Sequence, residues 1–414
     1  MNLLIHVDSL QRLRFFLRLE EAMLAFDVSV TYVTTLPAVA FRAVLRGKAI
    51  TIVRGQSGKE FPAVESCFDV LSGELTIEEA IFLYSSMWQT AVELVDKNQI
   101  DACLIWNGCK TADLAVYDVV ESRNLNALFL EVGNLPGKLF VDCLGVNARS
   151  SIARYHAVLE DYPADGVDFQ RWLSSYLKSK RGNSSVPQKK TRVDFGLNKL
   201  LNRFFCFAGR LPKTQSFSIF RHLKRELGLM RYKVPLDSLK SIPKYVFFPL
   251  QVTKDTQLVV NSDLDNESGI RAADEYARNL NVPLVVKLHP AEDNPGALNQ
   301  IEKLREELKF YVVEEPVVQL IERAELVVTL NSTVGLEAKL MAKPLVTLSP
   351  TYYSSLRAAD MKNLVLAYML DIDYFAKTSI DVHVVSELLQ RLEGSSRRRE
   401  EYLSGGVSAT SLRG

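Results

Sequence analysis

The sequence predicts an α/β protein built from two Rossmann-like domains, and three observations lead to this prediction. Short apolar runs alternate with helical patterns in both halves of the chain, which is typical of parallel sheets with crossover helices. The apolar runs are continuous, as expected for strands buried on both faces of a sheet. The length of 414 residues exceeds the usual size of one hydrophobic core.

The N-terminal domain is predicted to cover residues 1–165. Long helical patterns occupy residues 77–97 and 111–122. Short runs of aliphatic, β-branched and aromatic residues are predicted to be its strands: 2–7, 28–33, 49–53, 101–106 and 127–132.

A second α/β pattern is predicted to form a C-terminal domain over residues 244–395. Its strands are expected at 244–252, 283–290, 310–316, 325–332 and 344–350. Its helices are expected at 267–280, 296–308, 316–323 and 333–342. Residues 396–414 are predicted to be a flexible tail. Two such domains, with parallel sheets facing each other across a ligand-binding cleft, define the GT-B architecture of many glycosyltransferases.

Residues 166–243 lack this alternation and are predicted to be a basic, partly helical interdomain region. Within it, the segment LNKLLNRFFCFAGRL is amphipathic and basic. Such a helix could lie on an anionic lipid surface or pack between two domains. Residues 178–211 are therefore a candidate for peripheral contact with the inner face of the cytoplasmic membrane.

Bulk composition argues against several classes of function. The 50 basic and 49 acidic residues leave a net charge of +1, which gives no support for nucleic-acid binding. The five scattered cysteines form no CxxC pair, which indicates reduced thiols in a cytoplasmic protein. We recognise no signal peptide and no run of apolar residues long enough to span a bilayer. The DxD spacing in DLDNE (263–267) falls in a loop entering a helix, so we expect neither a metal nor another cofactor.

The stretch VVTLNSTVGLEAKLMAKP places Asn331, Ser332 and Thr333 between a strand and a helix. Such side chains cap a helix, and a helix start behind a parallel strand also binds anions through its free N–H groups. Three polar residues followed by Gly335, which would let another backbone approach, favour a phosphate site over capping alone. Glu337, one turn further on, could accept hydrogen bonds from a ribose or be a first-turn charge.

Other predicted strand ends also carry polar groups. VVKLHP ends a strand with Lys287 and His289, which could bind a phosphate or a sugar carboxylate, with His289 alternatively a general acid. FFPLQVTKDTQ runs from a buried strand into Gln251 and Asp255. Asp255 could cap a helix, pair with a cation or act as a nucleophile. In the N-terminal domain, the loop EVGNLPG exposes Glu131 as a capping carboxylate or as a base.

Together, the motifs EVGNLPG…D…GVNARSS, FFPLQVTKDTQ, KLHP and LNSTVGLEAKLMAKPLVTLS resemble those of the bacterial capsule and lipopolysaccharide β-Kdo transferases. The resemblance covers roughly residues 128–152 and 244–353, in the same order. It implies a retaining transferase that moves 3-deoxy-D-manno-octulosonic acid (Kdo) from CMP-β-Kdo to a glycan or glycolipid acceptor. The acceptor could belong to a capsule, a lipopolysaccharide or an O-antigen.

The resemblance also implies roles for the matched residues. Asp255 would be the nucleophile that forms a Kdo–aspartyl adduct, and Glu131 would deprotonate the acceptor hydroxyl. His289, with Lys287, would bind the negative charge of the donor. Retention through two inversions requires a nucleophile, usually a carboxylate. The residues expected to bind the donor and its CMP group are Gln251, Lys287, Asn331, Ser332, Thr333, Gly335 and Glu337.

Three other functions fit the same pattern. A CDP-glycerol-type glycerophosphotransferase of cell-surface polymer synthesis would share the architecture, but it would need a histidine-centred base rather than an essential carboxylate. A non-catalytic assembly protein would bind an anionic glycan without releasing CMP. A UDP-sugar epimerase would release no CMP and would need no separate acceptor.

Overall fold

The computed structural model describes residues 1–58, 63–164, 168–181, 234–239, 242–253 and 255–404. These residues form two compact units. Over the described residues, unit 1 contains 1–162 and 367–404, whereas unit 2 contains 163–181 and 234–366.

The elements are numbered in chain order. The strands are β1 (Asn2–His6), β2 (Ser29–Thr34), β3 (Ile50–Ile52), β4 (Ala102–Trp106), β5 (Asn126–Val132), β6 (Leu139–Asp142), β7 (Tyr245–Pro249), β8 (Leu284–Lys287), β9 (Tyr311–Val313), β10 (Ala324–Thr329) and β11 (Leu345–Thr347). The α-helices are α1 (Leu10–Met23), α2 (Pro37–Val44), α3 (Phe68–Leu71), α4 (Ile77–Asn98), α5 (Thr111–Ser122), α6 (Ser151–Arg154), α7 (Phe169–Arg181), α8 (Thr256–Asn261), α9 (Asn266–Asn279), α10 (Pro295–Leu308), α11 (Val317–Arg323), α12 (Thr333–Leu340), α13 (Ala358–Asn363), α14 (Val382–Leu392) and α15 (Ser395–Leu403).

Each unit contains one sheet with strands that run mainly parallel. In unit 1 the order is β3-β2-β1-β4-β5-β6, and only β6 is antiparallel, in a hairpin with β5. In unit 2 the order is β11-β10-β7-β8-β9, and every pair is parallel. The strand order reverses between β1 and β4 in unit 1, and between β7 and β10 in unit 2. These two switch points are where doubly wound sheets bind ligands, and the prediction of two Rossmann-like domains is confirmed.

The strands of unit 2 explain why the apolar runs in the sequence are continuous. Successive residues of β7 point to opposite faces of the sheet. Val246 and Phe248 belong to one buried cluster, while Tyr245 and Phe247 belong to another. Burying one valine or phenylalanine side chain stabilises the fold by about 1.5–3 kcal/mol. A polar residue inside β7 would face a core on either side, so polar side chains appear where the strand ends.

The predicted domain boundary near residue 395 is wrong, because residues 367–404 belong to unit 1 rather than to the C-terminal domain. The start of α15 lies against β5, where the Ala127 N–H donates to Ser395 Oγ over 2.9 Å. The predicted flexible tail is therefore helical as far as Leu403, and Arg399 and Tyr402 of this helix are buried. Amphipathic helices at the end of a chain do not reveal in sequence which sheet they cover.

The basic region is only partly visible. Helix α7 covers its first part, including residues 178–181, and residues 182–211 lie outside the described residues. Where the structure describes the chain, no helix has both the length and the apolar character needed to cross a bilayer.

Candidate functional site

An amide pair joins the two strand ends at the switch point of unit 2. Gln251 Nε2 donates to Asn331 Oδ1 over 2.9 Å, and Asn331 Nδ2 donates to the carbonyl oxygen of Gln257 over 2.8 Å. Both amide side chains are buried. The pair therefore ties β7, β10 and the first turn of α8 together. Gln251 and Asn331, which were predicted to bind the donor, thus form hydrogen bonds with protein groups. In the free protein these bonds position the neighbouring loop.

Asp255 lies directly after this loop and is the N-cap of α8. Its Oδ1 accepts a hydrogen bond from the Gln257 N–H over 2.8 Å. Helix capping was one of the three roles that the sequence allowed for Asp255. Burial raises the pKa of the Asp255 carboxyl, although backbone N–H groups and the nearby charge of His289 oppose the shift. Among the described residues no lysine or arginine forms an ion pair with it; Lys254 lies outside them. Asp255 is thus a half-buried carboxylate that forms no ion pair with a lysine or arginine within the described parts of the chain.

His289 lies in the loop after β8, within electrostatic reach of Asp255. The Ala291 N–H donates to His289 Nδ1 over 3.1 Å, which places the ring proton on Nε2 in the neutral form. Burial lowers the pKa of His289, against the opposing influence of Asp255 and Glu292. In the free protein this favours the neutral ring as a hydrogen-bond donor, and the predicted binding of the donor's negative charge by His289 stays a prediction.

Two residues that the sequence analysis missed hold these loops together. Glu292 Oε2 accepts from the Thr253 N–H over 2.7 Å and from the Thr253 hydroxyl over 2.8 Å. Thr253 belongs to the loop that leads to Asp255, and Glu292 follows His289 by three residues. Their bonds explain how the nucleophile candidate and the histidine come to lie near each other. The sequence signal was a carboxylate just after the His-Pro pair.

Lys287 points away from this group. Its ammonium donates to the carbonyl oxygen of Glu314 over 2.9 Å. Burial lowers the pKa of Lys287, although Glu314 and Glu315 oppose the shift. In the free protein the lysine is thus attached to the segment after β9, and its predicted contact with the donor stays a prediction.

The start of α12 contains a capping residue, Ser332, and a neighbouring hydroxyl, that of Thr333. Ser332 is the N-cap, and its Oγ accepts from the Val334 N–H over 3.3 Å. The Ser332 carbonyl oxygen accepts the hydroxyl of Tyr353. The neighbouring Thr333 is half-buried, and its hydroxyl has no hydrogen-bond partner among the described residues. The helix start therefore keeps the polar character predicted for a phosphate site.

The structure requires glycine at position 335, but not for the predicted approach of another backbone. A Cβ atom at this position would lie 2.6 Å from the Tyr353 hydroxyl oxygen and 3.0 Å from Thr329 Cγ2. The close neighbour is thus an aromatic side chain rather than another backbone. Gly335 is required for packing, and its predicted part in donor binding stays a prediction.

Glu337 is also engaged by protein groups. It is 4% exposed, and its Oε1 accepts from the Tyr176 hydroxyl over 2.6 Å and pairs with the Lys180 ammonium at 3.0 Å. Both partners lie on α7, where Trp172 stacks on Tyr176. Within unit 2 the carboxylate therefore attaches α7 to α12. Glu337 is buried rather than an exposed first-turn charge, and its contact with a ribose stays a prediction.

Glu131 lies at the end of β5 in unit 1 and is half-buried. Its Oε2 accepts from Asn107 Nδ2, and its Oε1 accepts from the Val132 N–H over 2.9 Å. A hairpin follows, and its second strand ends at Asp142, which is buried and accepts from the Tyr368 hydroxyl. Glu131 is thus held in a defined orientation at a carboxyl end of the sheet, as expected for a base.

Histidine, cysteine and carboxylate side chains do not converge in groups of three suited to a metal ion within the described parts of the chain. Asp255, His289 and Glu131 each carry a group that can act as an acid, a base or a nucleophile. Two doubly wound sheets with polar groups at their carboxyl ends define a ligand-binding α/β protein.

The comparisons with known proteins are consistent with this class. Residues 218–364 match the family described as "Capsule polysaccharide biosynthesis protein". The resemblance predicted from the sequence is thereby confirmed at family level over this segment, which contains Asp255, His289 and the start of α12. Protein FixF of Sinorhizobium fredii (strain NBRC 101917 / NGR234) is 25% identical over 277 residues, covering 64% of this chain and 54% of FixF. The chain thus spans about half the length of that relative.

Several solved structures are similar in fold at low identity. The Thermosulfurimonas dismutans KpsC β-Kdo 2,7 transferase is 16% identical, with a TM-score of 0.41 over 94% of this chain and 99% of that one. The β-Kdo 2,4 transferase of the same organism is 14% identical, with a TM-score of 0.42 over 93% and 97% of the two chains. The UDP-GlcNAc 2-epimerase of Methanocaldococcus jannaschii is 10% identical, with a TM-score of 0.34 over 95% and 99%. We take no functional conclusion from likenesses this distant.

Proposed function

We propose that this protein is a retaining glycosyltransferase that moves Kdo from CMP-β-Kdo to a hydroxyl group of a glycan or glycolipid. The observation that carries the proposal is Asp255, a half-buried carboxylate at the carboxyl end of β7. It lies beside the switch point of unit 2 and within electrostatic reach of the neutral His289. Desolvation makes the ionised carboxylate more reactive, because its charge is poorly compensated in the free protein.

In the first step, an oxygen of ionised Asp255 attacks the anomeric carbon of Kdo, and the bond from that carbon to the CMP phosphate breaks. His289 donates a hydrogen bond from Nε2 to the donor, whose phosphate and carboxylate are both acceptors. The N–H groups at the start of α12 and the Thr333 hydroxyl bind the phosphate as it leaves. The negative charge of the nucleophile is transferred to CMP.

In the second step, the acceptor hydroxyl attacks the same carbon and displaces Asp255, which restores the original configuration. Glu131 takes the proton of that hydroxyl.

The site of action follows as a second part of the proposal. We place the protein in the cytoplasm, with peripheral contact to the inner face of the membrane through the basic residues of 178–211. Such contact is electrostatic and therefore sensitive to salt. A high-salt wash should release the protein from isolated membranes, and retention at high salt would exclude electrostatic docking.

Intact-protein mass spectrometry with freshly generated CMP-Kdo tests the proposal. The wild type should gain the mass of one Kdo, and the Asp255→Ala variant should not. An adduct that survives this substitution would move the nucleophile to another carboxylate, with Glu131 next. The absence of both adduct and CMP release in the wild type would refute Kdo transfer, and CDP-glycerol would then be the donor to try.

A further inference from the structure

The switch point of unit 1 carries a polar cluster that the proposed reaction uses only at its edge. It consists of residues at the ends of β1, β4 and β5 and in the first turns of α1 and α5. We call it the unit 1 cluster, and its members are His6, Asp8, Arg12, Asn107, Lys110, Asp113 and Glu131.

The cluster contains an ordered pair and an ion-pair network. His6 Nδ1 lies 2.7 Å from Asp113 Oδ1, and the two residues are 3% and 2% exposed. Lys110 donates to Asp8 Oδ2 over 2.8 Å, and Arg12 forms an ion pair with Asp8 Oδ1. Burial alone would raise the pKa of Asp8, but Arg12 and Lys110 hold it well below the usual range. Both cations are therefore matched to a carboxylate that stays ionised.

Several buried polar atoms of the cluster have no hydrogen-bond partner. Among the described residues, four atoms of the cluster are of this kind: His6 Nε2, Asp8 Oδ1, Asn107 Oδ1 and Asp113 Oδ2. The ion pair with Arg12 accounts for Asp8 Oδ1 and leaves the other three without a partner. Leaving a buried polar group unsatisfied costs about 1–3 kcal/mol, so folded proteins retain few of them. Three such atoms at one switch point indicate a site whose hydrogen bonds are completed by something other than the chain.

The hydrogen-bonding chemistry of these three unsatisfied atoms indicates the class of ligand. The oxygens of Asn107 and Asp113 can only accept hydrogen bonds, and His6 Nε2 is also an acceptor when Nδ1 donates to Asp113. A phosphate offers acceptors rather than donors, and Arg12 and Lys110 are already paired with Asp8. A neutral saccharide offers several hydroxyl donors on adjacent carbons, which matches three acceptors.

We propose that the unit 1 cluster is a subsite for the hydroxyl groups of a neutral saccharide, in which His6 and Asp113 are the binding pair. Asn107 connects this subsite to the base, because its Nδ2 donates to Glu131 while its Oδ1 faces no partner. The saccharide is then part of the acceptor, an extension that rests on the proposed function. Binding itself requires no donor and no chemistry.

Titration of the full chain, labelled with 15N-histidine, tests the subsite by NMR. The probes are glucose, galactose and N-acetylglucosamine, with inorganic phosphate for comparison. The His6 signal is assigned by its absence in His6→Gln, and His156→Gln is the control, because His156 is exposed. We expect at least one saccharide to shift the His6 ring nitrogens and phosphate to leave them unchanged. Asp113→Asn should weaken binding of that saccharide about 10- to 150-fold, as expected for one lost hydrogen bond to a charged group.

Two results would overturn the subsite. A shift with phosphate and none with saccharides would make the cluster an anion site, and no shift with any probe would make His6 and Asp113 a core pair. If Asp113→Asn fails to fold, the wild-type titration alone still decides between these outcomes. Adduct formation on Asp255 is measured without an acceptor, so a failed subsite and a failed transferase are distinguished.

Discussion

Asn107 and Asn331 both follow the fourth strand of their sheets, yet their side chains are used in opposite ways. Asn331 accepts from Gln251 and donates to backbone carbonyls, so its amide is fully bonded inside unit 2. Asn107 donates to Glu131 but leaves a buried oxygen without a donor. The hydrogen bonds of the amide pair at the switch point of unit 2 are thus complete, and Asp255 and His289 lie in the adjoining loops. The switch point of unit 1 is incomplete, as expected where a ligand supplies the missing bonds.

The largest effect is expected for Asp255→Asn, which tests whether the Asp255 carboxylate is a nucleophile or only a helix cap. Asp255→Asn keeps a side-chain oxygen for the cap but removes the nucleophile, so transfer should fall by about 1000-fold or more. The raised pKa means that the folded state disfavours the ionised form. The wild type therefore loses stability as the pH rises through that pKa, and the variant does not.

Thermal unfolding should accordingly show Asp255→Asn to be at least as stable as the wild type at pH 7, with the difference vanishing in acid, where both side chains are neutral. Asp265→Asn is the matched control, because Asp265 is the N-cap of α9. Its transfer rate should stay within about twofold, since Asn caps a helix as well as Asp does. A stable, fully active Asp255→Asn would leave Asp255 as a cap only.

The same substitution at the two asparagines tests the comparison directly. Asn331→Gly breaks a satisfied buried network and should destabilise the protein by about 1–3 kcal/mol. Asn107→Gly removes an orphaned oxygen at a residue with φ of 62°, which glycine adopts readily, so the loss should stay below about 1 kcal/mol. Denaturant unfolding measures both, and equal losses would show that the two switch points do not differ as described.

The Glu337→Gln variant tests whether Glu337 stabilises the packing of α7 or binds the donor. The variant should lose about 1–3 kcal/mol of local stability, because Lys180 and Tyr176 lose their carboxylate. Hydrogen exchange should then be faster in α7, with the KM for CMP-Kdo unchanged. Glu322→Gln is the control, since its ion pair with Arg181 is exposed and contributes less than about 1 kcal/mol. A raised KM with α7 unaffected would restore the ribose role.

Gly335→Ala should change the stability of the fold and have the smallest effect on transfer. Its new methyl group would meet the buried Tyr353 ring, so we expect a loss of about 1–3 kcal/mol without a change in donor affinity once the protein is folded. Gly296→Ala in α10 is the control, because its nearest neighbour would be the Asn294 side chain at 3.3 Å. Removing a helical glycine there should be neutral or stabilise by about 0.5–1 kcal/mol. Equal melting temperatures for the two variants would contradict the packing role.

Local patterns were sufficient to predict the sheets and several strand ends. Continuous apolar runs could only be strands between two cores, and polar residues after such runs had to lie at the carboxyl edge of a sheet. Asp255, His289 and Glu131 were found in this way. His6 and Asp8 carried the same signal at the end of the run NLLIHV, but His6 alone resembles an ordinary core histidine.

What the sequence did not reveal depends on contacts between distant residues. Glu337 meets Tyr176 across 161 positions, and His6 meets Asp113 across 107. Gly335 owes its identity to Tyr353, which no local pattern connects to it. The charge state of His289 likewise depends on its burial in the fold rather than on its neighbours in the sequence.

Residues 367–404 belong to unit 1, although they follow unit 2 in the sequence. During synthesis, unit 1 can therefore complete its fold only after unit 2 has been translated. The β6 edge pairs with Leu370 through two backbone hydrogen bonds, and β5 receives Ser395. A nascent chain emerging from the ribosome can therefore close the sheet of unit 2 before the covering of unit 1 has been translated. Until then the first-made domain keeps an apolar face and a strand edge exposed, which are features that recruit chaperones or neighbouring chains. A stop codon near residue 366 should thus impair the N-terminal half of the molecule, although every residue of its sheet would be present.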